Sequence, residues 1–238
     1  MVSVGEHAMN QESANGFVDT TDAQSRKTLF AQHLRAAKGV LHLGAHVGQE
    51  AAFYAQHKKP VVWVEALPPI HANLEKNIRQ YADQRALCAL LGDLDGAQKR
   101  FYISNNQQGV SSSMFQFGEH GSGAKSLWPD LNLAMVGHIT LAATRLDTLL
   151  RANRIAAADF NFWMVDLQGA ELIALQGAGE LIGACQAMFV ETSTVDVYRG
   201  GVLWPELSQW LQEHGLVPLW QPSAGHDDVL FVRQQHGK

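Results

Sequence analysis

Two glycines four residues apart, Gly44 and Gly48, follow the short apolar run Val40-Leu41-His42-Leu43. A carboxylate, Glu65, closes the next apolar run 22 residues after Leu43. Glycine has no Cβ and tolerates positive φ, so a turn built on it lets backbone come close to a ligand. The N–H groups that open a following helix have no partner within it and are free to face that ligand. Doubly wound nucleotide folds bind a ribose with an acid ~20 residues past such a turn, because a carboxylate accepts from both hydroxyls. Dinucleotides call for a third glycine, G-x-G-x-x-G, to seat a pyrophosphate. The turn Gly44-Ala45-His46-Val47-Gly48 lacks it. S-adenosylmethionine, an adenosine cofactor without phosphates, fits the reduced pattern. The expected cofactor contacts are Leu43, Gly44, Ala45, His46 and Gly48 at the turn, with Glu65 and Ala66 at the ribose.

Methyl transfer from a sulfonium is an in-line displacement. A protein must align acceptor, methyl and sulfur, and take up a proton when the acceptor is a hydroxyl. Asp166 ends a predicted buried strand, at the carboxyl edge where open α/β sheets bind ligands. It is the expected catalytic acid or base and a further cofactor contact; alternatively it caps the helix that follows. Glu191 ends the next predicted strand and is expected to bind the acceptor or act as a base. Glu171 falls in a helix first turn, where dipole compensation explains it without function. His120, His138 and His226 each offer an imidazole that titrates near neutral pH. His120 is preferred, because its segment is expected to cover the cofactor. Gly92-Asp93 follows the third strand and is the expected adenine contact, its carboxylate accepting from the exocyclic amine; the same pair also reads as a turn. No C-x-x-C occurs, and the one pair of adjacent acids beside a histidine, Asp227-Asp228, reads as a solvated turn. No metal is expected.

Alternating short apolar runs and amphipathic stretches must position these groups. Strands are expected over residues 40–43, 61–65, 86–91, 162–166, 187–191, 216–220 and 229–232. Helices are expected over 23–37, 50–57, 70–81, 146–152, 170–182 and 204–214, the first capped at Thr21-Asp22. Strands separated by helices imply parallel βαβ units. Only eight residues, 221–228, separate the last two strands, too few for a crossover helix, so these form an antiparallel hairpin. The expected fold is α/β: a mostly parallel, seven-stranded, Rossmann-like sheet ending in that hairpin. Residues 1–20 read as a flexible polar arm and 21–238 as one domain. Residues 105–140, rich in Ser, Gly, Asn and Gln, read as an insertion of the lid or binding kind.

Length and composition set the remaining limits. A chain of 238 residues buries roughly 70% of its unfolded surface in one domain. A net charge of −5 without a basic tract argues against nucleic-acid partners. No apolar run reaches the ~20 residues of a membrane span, and no basic-then-apolar leader opens the chain. The two cysteines, Cys88 and Cys185, lie far apart in apolar segments. They read as buried thiols of a reducing compartment. The expectation is a cytoplasmic protein acting on a small-molecule or glycan acceptor, with a homodimer open to it.

One stretch, Met164-Val-Asp-Leu-Gln-Gly-Ala-Glu-Leu-Ile-Ala-Leu-Gln-Gly-Ala178, resembles the Asp-x-(Glu/Gln)-Gly-x-Glu-(x)5-Gly-Ala signature of the FkbM family of S-adenosylmethionine-dependent methyltransferases. Val64-Glu-Ala-Leu-Pro68, Ser111-Ser-Ser-Met114 and Arg145-Leu-Asp-Thr-Leu149 are similar to further motifs of that family in order. So are Glu191 with Tyr198 and Gly200, and Asp228-Val-Leu-Phe231. The resemblance runs from about Gly39 to Arg233 and implies O-methylation of a hydroxyl on a sugar or secondary metabolite. It departs from the family at His42, His46 and Met164, where many members carry Asp, Asn and Lys. Two rivals stand beside it: a methyltransferase fold kept as a non-catalytic binding module, and a nicotinamide-dependent oxidoreductase, against which the missing glycine argues.

Overall fold

A computed structural model describes residues 22–234, and the arm read over 1–20 lies outside the described residues. Asp22 caps the first helix, α1 (Ala23–Ala36), by accepting from Ser25 N at 2.8 Å. The chain then runs β1 (Val40–Leu43), α2 (Ala51–Gln56), β2 (Val61–Glu65), α3 (Pro68–Ile78) and β3 (Gln84–Cys88). Next come β4 (Leu90–Leu91), β5 (Gln98–Ser104), β6 (Met135–Thr144), α4 (Leu146–Ala152), β7 (Phe162–Val165) and α5 (Glu171–Gln176). The last elements are β8 (Ala187–Ser193), α6 (Trp204–Glu213), β9 (Leu216–Pro218) and β10 (His226–Arg233).

Seven strands form the main sheet in the order β3-β2-β1-β7-β8-β10-β9. The first five are parallel, and β10 inserts antiparallel between β8 and β9. This is the class I methyltransferase arrangement expected from the sequence. Strands β1 and β2 are buried throughout, as a sheet covered on both faces requires. The order of strands reverses between β1 and β7, and there the carboxyl ends leave a crevice.

Four details differ from the sequence reading. The expected strand over 86–91 is two strands: β3 in the main sheet, and β4, which pairs with β6 in a separate three-stranded layer. That layer includes β5 and β6, which the sequence reading left out; β6 starts within the stretch read as loop. The helix expected over 170–182 stops at Gln176 and a 3-10 turn, Gly179–Ala184, follows. The backbone leaves the helical path at Gly179 (φ 53°), while Gly177 lies close against backbone: a Cβ there would stand 2.1 Å from Gly92 O. Cys88 is exposed rather than buried, because β3 is an edge strand whose alternate side chains face outward; Cys185 is buried, and both are free thiols.

Candidate active site

The turn after β1 carries three left-handed residues, Gly44 (φ 86°), His46 (φ 44°) and Gly48 (φ 73°). Gly44 is obligatory: a Cβ there would lie 1.7 Å from Asp166 O. The bare backbone brings the β1 and β7 ends together, and Gly44 N and Ala45 N both donate to Val64 O at 3.0 Å. Glu65, at the end of β2, ties this turn to its own loop. Its Oε2 accepts from His46 N at 2.9 Å and its Oε1 from Leu67 N at 2.8 Å. Burial pushes the Glu65 carboxyl up to about 7, against the pull of those N–H groups.

These ends enclose a cleft of about 850 Å³, open mouth included. Gly44, Ala45, His46, Glu65, Ala66 and Asp166 line it. The small layer supplies the opposite wall: Phe101 from β5, then Val110, Ser112 and Met114 from the segment that follows. Ala89, Leu90 and Leu91 complete it below. Leu43, Gly48, Gly92 and Asp93 do not line it. Leu43 is wholly buried in the core, and Gly48 packs under Leu74. Gly92 N donates to Thr144 O at 3.1 Å, and the exposed Asp93 gives its carbonyl to Arg145 Nη1. The Gly92-Asp93 pair therefore links β4 to the β6–α4 corner, and the apolar residues just before it face the cleft.

Beyond Asp166 the chain turns sharply through Gln168 (φ 56°) and Gly169 (φ 92°). No side chain caps α5, so Asp166 is not its N-cap; Glu171 holds the loop instead. The buried Glu171 carboxylate accepts from Leu167 N at 2.9 Å and Gly169 N at 3.1 Å. It is pushed up to about 7 by burial, with the Asp166 charge adding to it. The loop thereby aims Gln168 across the sheet edge. Its Nε2 donates to Asp166 Oδ1 at 2.5 Å and to Glu191 Oε2 at 2.9 Å. Its Oε1 accepts from the Tyr198 hydroxyl. Ser113 Oγ donates to Gln168 O at 2.6 Å, which ties the serine run over the site.

Asp166 and Glu191 thus face one another at the ends of β7 and β8. Both carboxyls are held well above the usual range, burial being the larger cause and neighbouring carboxylates the second. Such a pair retains a proton that isolated acids would lose. Glu191 Oε1 also meets His226 Nε2 at 3.0 Å, and His226 Nδ1 lies 3.1 Å from Ser193 Oγ. His120 stands apart from this group. It lies outside the cleft lining, its backbone N donates to Asp196 O, and its Nδ1 is buried without a hydrogen-bond partner. His138 is exposed on β6, near Tyr102.

The family model for the methyltransferase FkbM domain matches residues 42–217. This chain belongs to the FkbM family. The family is one of S-adenosylmethionine-dependent methyltransferases, which sets aside the oxidoreductase alternative. No curated protein matches the chain. Among solved structures, it is similar to the methyltransferase domain of bacterial CtHen1-CN, at 10% identity over 88% of this chain and 98% of that one, TM-score 0.46. It is also similar to magnesium protoporphyrin IX methyltransferase (ChlM) from Synechocystis PCC 6803 with bound SAH: 9% identity, 89% and 81% coverage, TM-score 0.48. A TehB-like methyltransferase from Corynebacterium glutamicum ATCC 13032 is 9% identical over 89% and 96%, TM-score 0.42.

The residues of this FkbM chain fit the cofactor. The Gly44 backbone has no room for a side chain, and each Glu65 oxygen, accepting one N–H, keeps a lone pair for a hydroxyl. At the departures from the family pattern, packing accounts for His42. It stacks on Trp63 at 4.6 Å, its Nδ1 meets Tyr54 OH at 3.3 Å, and burial pulls it down to about 3, so it is neutral. His42 and His46 share H-x-x-x-H spacing, but one ends in a strand and the other lies past a left-handed turn, so they share no helix face. Among the described residues no three His, Cys, Asp or Glu side chains are grouped to hold a metal. Gln168 was missed as a site residue although it sits inside the signature; its left-handed backbone was not legible.

Proposed function

We propose that this FkbM methyltransferase is an O-methyltransferase acting on a hydroxyl of a sugar or secondary metabolite. The observation that carries the reading is the Asp166–Glu191 carboxyl pair, bridged by Gln168 at the crevice where the strand order reverses. A hydroxyl acceptor must surrender a proton, and a carboxyl pair held above the usual range is a proton acceptor suited to neutral pH.

When bound, S-adenosylmethionine supplies an electrophilic methyl group on a sulfonium. In this reading Gly44, Ala45, His46 and Asp166 hold the methionine end, while Glu65 and Ala66 hold the ribose. The apolar wall of Leu90, Leu91, Phe101 and Met114 takes the adenine in place of Gly92-Asp93. The acceptor hydroxyl gives up its proton to the pair that Asp166 shares with Glu191. His226, on the far side of Glu191 and partly exposed, passes that proton toward solvent. Glu191 is a proton-holding rather than a cofactor-binding group, since it does not line the cleft. The chain is read as one domain over 21–238, with the 105–140 segment as an insertion that helps to wall the cofactor cleft. It takes the protein as cytoplasmic; no helix among the described residues is long and apolar enough to cross a membrane.

Calorimetric titration with S-adenosylmethionine and S-adenosylhomocysteine, with NAD as control, tests the cofactor. Mass-spectrometric detection of methylated hydroxyl acceptors tests the reaction. Micromolar binding that Glu65→Ala loses, with transfer that Asp166→Asn abolishes, supports the reading. Failure to bind either sulfur compound would sink it and favour a non-catalytic binding module.

A further inference from the structure

A second cavity opens beside the acidic row, under α1. Phe30 of α1, Phe53 of α2, Phe189 of β8 and Trp220 wall it, with Arg26 and Asp228 on its polar side. It encloses about 1060 Å³ with its open mouth, which is room for a small organic molecule. Phe30 meets Phe189 edge-on at 4.9 Å, so the ring wall is packed rather than loose. Arg26 is bound to Asp227 at 2.8 Å and lies 5.1 Å over the Trp220 ring, which stiffens the opposite wall.

Strand register connects this cavity to the catalytic pair. Asp228 on β10 faces Glu191 on β8, and Leu230 faces Phe189. Phe189 and Glu191 are two residues apart on one strand and share a sheet face. The short helix α2 bridges the two hollows: Glu50 at its start lines the cofactor cleft, and Phe53, one turn on, lines this cavity. An acidic row thus runs from Asp166, which lines the cofactor cleft, through Glu191 to Asp228, which lines this cavity.

We propose that this cavity is the acceptor subsite and that its ligand is a hydroxylated aromatic of the phenol class, whose hydroxyl points to Asp228, the strand partner of Glu191. The proposal deepens the O-methyltransferase reading and rests on it. Four aromatic rings and the small Ala23 and Ala31 make most of the wall. Of the four charged groups on the wall, Arg26 and Asp227 are already engaged with each other, which leaves Lys27 and Asp228. A polyhydroxylated sugar buried here would leave several hydroxyls without partners, at a cost of about 1–3 kcal/mol each by mutational measures. A flat aromatic ring with one hydroxyl needs a single acceptor, and Asp228 supplies it. The cavity thus selects among the acceptor classes that the family resemblance leaves open.

Calorimetry on the full chain decides the matter without turnover. The probes are 2-naphthol and methyl α-glucopyranoside, each with and without S-adenosylhomocysteine. The naphthol is expected to bind about tenfold or more tighter than the glucoside, roughly 1.4 kcal/mol. Ala31→Trp fills the cavity from α1 and should weaken the naphthol about tenfold while leaving S-adenosylhomocysteine affinity unchanged. Phe53→Leu removes one ring without a polar change and should weaken it in the same direction, a second reading should Ala31→Trp misfold. Naphthol binding that is absent, no tighter than the glucoside's, or indifferent to both variants overturns the subsite while S-adenosylhomocysteine still binds. Loss of S-adenosylhomocysteine binding by the unmodified protein would instead overturn the methyltransferase reading beneath it.

Discussion

The Gln168 amide donates to Asp166 Oδ1 at 2.5 Å while its carbonyl oxygen accepts from Tyr198 OH, so one side chain joins the β7 end to the loop after β8. A planar amide fixed at both ends cannot rotate away from the two carboxyls it serves. The left-handed φ of 56° at Gln168 is the local strain that this arrangement bears. Gln168→Leu keeps the volume but takes from Asp166 its side-chain donor, while Glu191 keeps His226 and the Tyr198 hydroxyl keeps the Ser111 carbonyl. It should lower stability by about 1–3 kcal/mol, the cost of an unsatisfied buried group, and depress kcat, with cofactor affinity falling as well because Gln168 lines the cleft. Urea unfolding and steady-state kinetics check both parts. An unchanged kcat would remove Gln168 from the site.

The two histidines provide a sharper comparison. His226 touches Glu191, whereas His120 does not line the cleft. Glu191→Gln should cut kcat by about 10²-fold or more, the scale of general-base loss. His226→Asn should cut it by a smaller factor, and His120→Asn should leave it unaltered. The affinity for S-adenosylhomocysteine should hold in all three, because none of these side chains lines the cofactor cleft. A larger loss from His120→Asn than from His226→Asn would reverse the proton route argued for here.

Those histidines also mark how far the sequence could be read. The apolar runs of β1, β2, β7 and β8 are local signals, and their carboxyl ends carried Gly44, Glu65, Asp166 and Glu191 with them. What brings His226 to Glu191 is the antiparallel register of β10 on β8, Ser193 opposite His226, which no local pattern encodes. Strands β5 and β6 were illegible for a related reason. They pair with each other across a loop of 30 residues, 105–134, and β6 is half exposed and carries Gly137 and His138. Gly92-Asp93 is read toward the adenine from chain order and its carboxylate, whereas in the structure Gly92 N is held by Thr144 O and neither residue lines the cleft.

Gly44 is the most constrained position in the cofactor turn. Its φ of 86° is strained for any L side chain, and a Cβ would overlap the Asp166 carbonyl outright. Backbone cannot yield there without separating β1 from β7. Gly44→Ala should therefore destabilise the protein by more than about 3 kcal/mol, beyond the usual range for a single change, and abolish cofactor binding. A thermal melt within a few degrees of the unmodified protein's would show that the turn is not clamped as described.

The stability of the protein should itself report the buried acids. Glu65 and Glu171 are each pushed up to about 7 by burial from an ordinary 4.5. Between those values the folded chain holds protons that the unfolded chain has released. The contribution of the two groups is therefore complete below about pH 4.5 and is lost as pH rises toward 7. Each pH unit across that window costs about 1.4 kcal/mol per group, so the whole effect is of the order of a few kcal/mol. Urea midpoints measured from pH 5 to 7.5 should fall as pH rises, and Glu65→Gln, neutral throughout, should flatten the slope by one group's share, about 1.4 kcal/mol per pH unit. A slope that Glu65→Gln leaves untouched would mean that Glu65 is ionised in the folded protein at all these pH values. The two backbone N–H groups would then outweigh its burial, and the ribose-binding carboxylate would stand charged and ready before any cofactor arrives.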